Sequence, residues 1–487
     1  MSSESVSIKK FEKDILNELK NNNLNVFAGA GLSRGSGFVN WKELLKDIAE
    51  EISLDIDKEH DLVSVAQYYV NKNGRHTINE TIVNEFQQKS RRNETLDILS
   101  RLPISTYWTT NYDSIIEDTL GHMGKIVDVK KEKSQVKIFK PNREVVLYKM
   151  HGDKDFPKDA VITRDDYESY SRKREPFITK LKGELLSNMF LFIGFSFEDP
   201  NLEQILSKIR VDLIEEQDAP KNHYCFFKKV NPNEDYYKLN NGEYDNEAYQ
   251  YDLIKQELKI KDLKRYGIQT VLVDDYPDIT DILKGIEDKF KVNNIFISGS
   301  AEAYGNFTEN QASDLLHSLS AELVENNYHI TSGFGVGVGS YVINGALEMG
   351  YQKHLKTDDY LTLRPFPQKS SGHKDIKDLW KTYREDILDN NGIAIFVFGN
   401  KLSDGKIVNA DGVMKEFQLA EERNLYIIPI GSTGYASQEI LNIVREDDKY
   451  WYLKDSIEKL SESTDNETLI KEVTTIIQRI KDKNNSI

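Results

Sequence analysis

FAGAGLSRGSGFVNW, residues 27–41, joins an apolar run to a cluster of glycines and then to a stretch of helical periodicity, WKELLKDIAEEI (Trp41–Ile52). A strand that ends in glycines and turns at once into a helix is a local α/β signal. Glycine allows the tight turn, and backbone amides at a helix start can approach a phosphate. Taken alone, the stretch reads equally as a turn that binds nothing. Its company along the chain decides what it means.

Working outward, PISTYWTTN (Pro103–Asn111), VVLYKM (Val145–Met150), MFLFIGFS (Met189–Ser196), HYCFF (His223–Phe227) and TVLVDD (Thr270–Asp275) are further β-type runs, with helical stretches such as ETLDILSRL (Glu94–Leu102) between them. Runs that are apolar throughout, separated by helices, predict a parallel sheet covered on both faces. Polar motifs follow directly: TTNYD (Thr109–Asp113), KMHGD (Lys149–Asp153) and IGFSFEDPNL (Ile193–Leu202). In an open parallel sheet such loops meet at one crevice, where ligands bind.

The polar segment from Val230 to Gln250, with its turn dipeptide Asn241-Gly242, reads as a surface insertion ending in a helix. YPDITDILKGIEDKFK (Tyr276–Lys291) reads as the helix closing a first domain. A second alternation follows: NIFISGS (Asn294–Ser300), a helix over Phe307–Asn327, strand, glycine loop and helix over Tyr328–Gly350, then LTLRPFP (Leu361–Pro367), GIAIFVFGN (Gly392–Asn400) and LYIIPIG (Leu425–Gly431). The expectation is an α/β protein with two Rossmann-like, doubly wound parallel-sheet domains in tandem, residues 1–290 and 291–487. A chain of 487 residues is too long for one core.

The net charge of −16 argues against sequence-independent binding to nucleic acid, which needs a concentrated basic surface. The single cysteine, Cys225, excludes an intramolecular disulfide and any Cys-x-x-Cys zinc site, so no metal is expected, and it suits a reducing cytosol. The first twenty residues have an amphipathic pattern rather than a signal-peptide core, and no run approaches the roughly 18 apolar residues of a membrane span. A cytoplasmic protein with no membrane partner is expected.

The four motifs, in the order GAG-x-S, T-x-N-x-D, HG and G-x-S, resemble the sirtuin superfamily over residues 24–202. The resemblance implies NAD+ as ligand. Gly29, Ala30, Gly31 and Ser33 would lie along the pyrophosphate, Asn111 and Asp113 near the nicotinamide ribose, His151 at the ribose hydroxyls, and Gly194 and Ser196 on the adenosine side. Asn111 and His151 would be catalytic: the amide holds a ribose hydroxyl or a water in line, and a neutral imidazole takes the proton of the attacking group. The plainer readings are a strand-end cap for Asn111 and a buried structural histidine for His151. Deacylases of the superfamily carry two Cys-x-x-Cys pairs and a TQN-[IV]-D motif, both missing here. Water as acceptor follows, giving nicotinamide and ADP-ribose.

The later half resembles the SLOG superfamily through ISGS (Ile297–Ser300), SGFGVGVGS (Ser332–Ser340), WKTYRED (Trp380–Asp386), the strand ending FVFGNK, and GVMKEF (Gly412–Phe417). That resemblance implies a nucleotide site with Gly299, Ser300 and Gly333 in glycine loops, Glu416 accepting from ribose hydroxyls, and Arg384, Lys401 and Arg364 pairing with phosphates. FGNKLSDGKIVNADG stands where the phosphoribohydrolase members carry a PGG signature, which implies a ribonucleotide bound without cleavage. The plainer reading makes Arg384 and Glu416 ordinary helix charges.

The tandem is similar to the NAD-consuming effectors of the bacterial Thoeris antiphage system. This implies activation by a cyclic ADP-ribose isomer made by a TIR-domain partner protein, NAD depletion in antiviral defence, and a homotetramer able to form filaments. The alternatives are a sirtuin-type protein deacylase and a non-catalytic nucleotide sensor.

Overall fold

The computed structural model describes residues 5–87, 91–197, 199–216, 221–238, 244–367 and 376–486. The chain divides into two compact units, Met1–Ile286 and Glu287–Ile487, the division falling within the helix Pro277–Lys291.

Seven parallel strands form the sheet of the first unit: β1 (Leu24–Ala28), β2 (Thr106–Thr109), β3 (Val127–Lys130), β4 (Val145–Lys149), β5 (Met189–Ile193), β6 (His223–Lys228) and β7 (Ile268–Val273), in the order β3-β4-β2-β1-β5-β6-β7. β1 and β5 are buried at every position, as unalternating apolar runs require. Val26 of β1 pairs with Tyr107 on one side and Leu191 on the other. The chain lays β2, β3 and β4 on one side of β1 and then crosses to place β5 on the other. That reversal makes the carboxyl ends of β1 and β5 a topological switch point.

The amphipathic helix Ile8–Lys20 buries Phe11, Ile15 and Leu19, and the Phe11 ring meets Tyr224 and Phe226 of β6 edge-on at 5.1 and 5.0 Å. On the sheet itself, Trp108 stacks on Tyr148 at 4.1 Å, and its indole N–H donates to the buried carboxylate of Glu184 at 2.7 Å. Two local features depart from the sequence expectation. The helix predicted over Trp41–Ile52 breaks at Leu45 into Trp41–Leu44 and Lys46–Glu51, an arrangement that leaves both consecutive leucines buried. β3 was not expected, because its sequence is VDVK. Lys130 is nevertheless buried, with its ammonium on Asp128 Oδ2 at 2.7 Å and on the Ile138 carbonyl.

The second unit holds a parallel sheet of β8 (Asn294–Ser300), β9 (His329–Ser332), β10 (Leu361–Leu363), β11 (Ile393–Phe398) and β14 (Tyr426–Ile430), ordered β10-β9-β8-β11-β14. An antiparallel hairpin, β12 (Asn400–Ser403) and β13 (Lys406–Asn409), stands apart from it. Its turn residues Asp404 and Gly405 have φ of 50° and 74°, the left-handed pair of a two-residue hairpin turn. Here the chain crosses from β10 to β11 over β8, so the switch point lies between β8 and β11. The helix Asn466–Ser486 buries Leu469, Val473, Ile476, Ile477 and Ile480 in this unit's core.

The expected insertion ends in a helix, Asn246–Lys264, while the Asn241-Gly242 turn lies outside the described residues. Among the described residues no helix is long and apolar enough to cross a membrane.

Candidate functional site

Contacts between the loops after β1, β2, β4 and β5 close a ring at the first switch point. Ser33, after β1, accepts from the side-chain amide of Asn111, after β2, at 2.9 Å. The Lys149 ammonium, at the end of β4, donates to the backbone carbonyls of Tyr112 and Asp113 at 3.2 and 2.5 Å. His151 Nε2 lies 3.1 Å from Asp199 Oδ2, after β5. The Gly194 carbonyl, also after β5, accepts the Gly31 N–H at 2.8 Å.

That last contact changes the meaning of the glycines. The N–H groups of Gly29 and Gly31 are taken by the Ile193 and Gly194 carbonyls at 2.9 and 2.8 Å. A Cβ on Gly31 would sit 2.9 Å from the Gly194 Cα, and one on Gly194 (φ +64°) would collide with the Leu32 amide. Here glycine supplies the close approach of two loops, and its amides are already occupied. Ala30 opens a short helix, Ala30–Arg34, and Ser196 is exposed in the β5 loop.

Asn111 is oriented from several directions. The Thr109 hydroxyl donates to the Ala28 carbonyl at 2.9 Å and accepts the Asn111 N–H at 3.0 Å, which fixes the turn. Asp113 is buried and accepts the Ile115 N–H at 3.1 Å. Burial pushes its carboxyl upward, and Lys149 and the Ser33 hydroxyl act in the opposite direction. Behind the turn, Lys149 is fully buried among Asp113, Glu117 and Asp153, with Asp153 shared by Lys131 at 2.9 Å. Buried charges are retained only when paired in this way.

His151 sits between two tyrosine edges, Tyr167 at 5.8 Å and Tyr170 at 5.6 Å. Burial holds its imidazole below the usual histidine range. Asp199 and Asp166 raise it, and Arg174 lowers it further. The ring is thus neutral near pH 7, as a proton acceptor must be.

At the second switch point, Glu416 is buried on the second turn of the helix Asp411–Glu422. It accepts from Ser298 of β8 at 2.6 Å and pairs with Arg384 Nε at 3.4 Å. Burial pushes Glu416 upward against the lowering effect of Ser298 and Arg384. The Arg384 guanidinium lies 5.0 Å from the centre of the Phe366 ring, whose edge covers Gly333. Gly299 packs against Val397, and Ser300 donates to the Asn400 carbonyl at 2.9 Å. Gly299, Ser300, Gly333, Arg384 and Glu416 are therefore brought together. Lys401 is an exposed partner of Asp411, and Arg364 is exposed beyond β10.

Comparison with known proteins agrees with both halves. Residues 105–249 match the SIR2-like domain family and residues 278–480 the Sir2- and TIR-associating SLOG family. The chain is 48% identical to the NAD(+) hydrolase ThsA of Cytobacillus dafuensis over 443 residues, 90% of this chain and 89% of that protein. It is 43% identical to the NAD(+) hydrolase ThsA of Bacillus cereus (strain MSX-D12) over 481 residues, 97% and 98% of the two chains. The chain belongs to the ThsA family of NAD(+) hydrolases.

In this ThsA-family chain, several residues at the two crevices were not singled out from sequence. Asp199 had a readable signal, since an aspartate before a proline that opens a helix is an N-cap pattern. Asn400 is fully buried and clasps the β8 loop, accepting from the N–H groups of Glu302 and Ala303 at 2.9 and 3.1 Å and donating to the Ala303 carbonyl at 2.7 Å. Ser298 and Phe366 join them, and neither residue type signals its role in isolation.

Proposed function

We propose that this ThsA-family chain hydrolyses NAD+ to nicotinamide and ADP-ribose at the β1/β5 crevice, and that a cyclic ADP-ribose isomer bound at the β8/β11 crevice switches the reaction on. The observation that carries the first half is the ring of loop contacts, which joins an amide held by Ser33 to a neutral, buried imidazole. In the reaction, water attacks the ribose C1′ while the bond to nicotinamide breaks and its electron pair leaves with the base. Asn111 positions the ribose hydroxyl or the water, and His151 takes the water proton. In this reading Ala30, Ser33, Asp113 and Ser196 face NAD+, while Gly29, Gly31 and Gly194 shape the cradle by holding the β1 and β5 loops together.

The second half is supported by a buried carboxylate and a guanidinium set together beneath aromatic rings. Glu416 suits ribose hydroxyls, Arg384 suits phosphate, and Gly299, Ser300, Gly333, Arg364 and Lys401 line the approach. The ligand activates by binding the active arrangement more tightly than the resting one. A TIR-domain partner protein supplies it, the working form is a homotetramer in the cytoplasm, and NAD+ loss halts the phage-infected cell.

The test is nicotinamide release from NAD+ by the full chain, with and without cyclic ADP-ribose isomers. Release that depends on one isomer is expected, and none under any condition sinks the proposal. Deacylation of an acetyl-peptide in the same assay would favour the deacylase reading instead.

A further inference from the structure

The carboxylate beside His151 is fixed from two sides. Asp199 Oδ1 accepts the N–H groups of Asn201 and Leu202 at 2.8 and 3.3 Å, in the first turn of the helix Pro200–Glu216. Its other oxygen, Oδ2, lies 3.1 Å from His151 Nε2, and the two side chains are only 11% and 3% exposed. The helix thus sets where the carboxylate stands, and the carboxylate meets one particular ring nitrogen. The remaining groups around the imidazole are Arg174, Asp166 and the rings of Tyr167 and Tyr170.

A neutral imidazole carries one proton, and which nitrogen holds it depends on what each nitrogen faces. The negative charge of a carboxylate oxygen 3.1 Å from Nε2 attracts the ring proton to that nitrogen and leaves the lone pair on Nδ1.

We propose that Asp199 is a positioning residue for the hydrolysis: it holds His151 in the Nε2–H tautomer, so that Nδ1 is the atom that receives the water proton. The inference rests on the reading of His151 as the base. When the water oxygen bonds to C1′ and nicotinamide departs with its electron pair, the water proton passes to Nδ1. The resulting imidazolium is stabilised by the adjacent carboxylate, and Asp199 itself exchanges no proton.

The experiment uses the full chain with NAD+ as substrate, in the presence of the cyclic ADP-ribose isomer that activates the wild type. Asp199→Asn is the discriminating variant, because asparagine is as good a helix cap as aspartate. Its oxygen keeps the cap, and its NH2 then faces Nε2, which drives the ring proton to Nδ1 and removes the base. The expected result is a fall in kcat on the order of 10²–10³, with KM within about threefold. The acid limb of the kcat profile should also move to lower pH by about one unit, because a negative charge beside the imidazole is lost. Asp199→Ser, which also caps, should lose kcat while its Tm stays within about 3 °C of wild type.

If Asp199→Asn keeps kcat within about threefold and leaves the acid limb in place, the inference is overturned. It is also overturned if both variants lose activity only in step with a Tm drop of about 10 °C or more, since the residue would then be only a cap. His151→Ala separates the two levels. Full activity there removes the reading of His151 itself, whereas loss there with an intact Asp199→Asn removes only the role of Asp199.

Discussion

In each unit the chain lays strands on one side of a central strand, β1 or β8, and then crosses to β5 or β11 on the other. At both crossings glycines let backbone meet backbone, Gly31 against Gly194 in one and Gly335 against the Gly299 carbonyl in the other. What stands in the two crevices differs. The first holds a buried histidine kept neutral beside a carboxylate, and an asparagine locked by a serine. The second holds a buried glutamate paired with an arginine that lies over an aromatic ring. In the proposed function, the group poised to gain a proton serves chemistry, and the fixed pair of opposite charges serves recognition. The same scaffold supports either, and the side chains decide.

The sharpest way to break this contrast is to remove the proton acceptor. His151→Ala and Asn111→Ala should each reduce nicotinamide release by about 10²- to 10⁴-fold, while a cyclic ADP-ribose isomer still raises Tm by the same increment. A lost increment would mean that the two crevices are not separable. Next in size, Arg384→Ala leaves Glu416 buried without its partner and should lower stability by about 3 kcal/mol. Glu416→Gln added to it should recover part of that loss in denaturant unfolding, and neither protein should respond to the isomer. Full response by Arg384→Ala would move the activator elsewhere.

A smaller effect tests the shared part of the scaffold. Gly194→Ala and Gly335→Ala should each cost about 2 kcal/mol, because the added methyl meets backbone that cannot swing away. If only one is destabilising, the two crossings are not built alike. The smallest concerns His223, a second buried histidine of the first unit, whose Nδ1 accepts the Phe190 N–H at 3.1 Å. Burial pushes it down to about 3, with Lys221 adding to the effect. In the unfolded chain the ring takes a proton below about pH 6.5, so its contribution is complete above that pH and is lost as the pH falls. About 1 kcal/mol should disappear between pH 7 and pH 5.5, and His223→Gln should flatten that slope in thermal unfolding.

These histidines also show how far sequence carries. Each follows or opens an apolar run, so both strands were legible, and so were the glycine turns, because periodicity and turn residues are local properties. The loop that delivers Asp199 to His151 is 48 residues further along the chain, and no local pattern reports such a meeting. β3 was hidden for a different reason: Asp128 and Lys130 neutralise one another inside the sheet, so a polar string occupies a buried strand. The hairpin has a strong turn signal in Asp404-Gly405, but its strands NKLS and KIVN are short and mostly exposed, so no apolar alternation marks them. The amides of Gly29 and Gly31 are engaged by the β5 loop, a contact between distant segments that a local glycine motif does not report.

The β12–β13 hairpin offers a practical opening. Its residues from Lys401 to Asn409 are exposed, yet it begins at Asn400, the buried side chain that clasps the β8 loop. Cys225 is buried, and burial pushes its thiol up to about 12, so it is inert toward maleimides. A dye placed through Asp404→Cys would therefore label one position only. A change in its emission on adding a cyclic ADP-ribose isomer would show that the β8 loop, held by Asn400, passes ligand binding on to the hairpin.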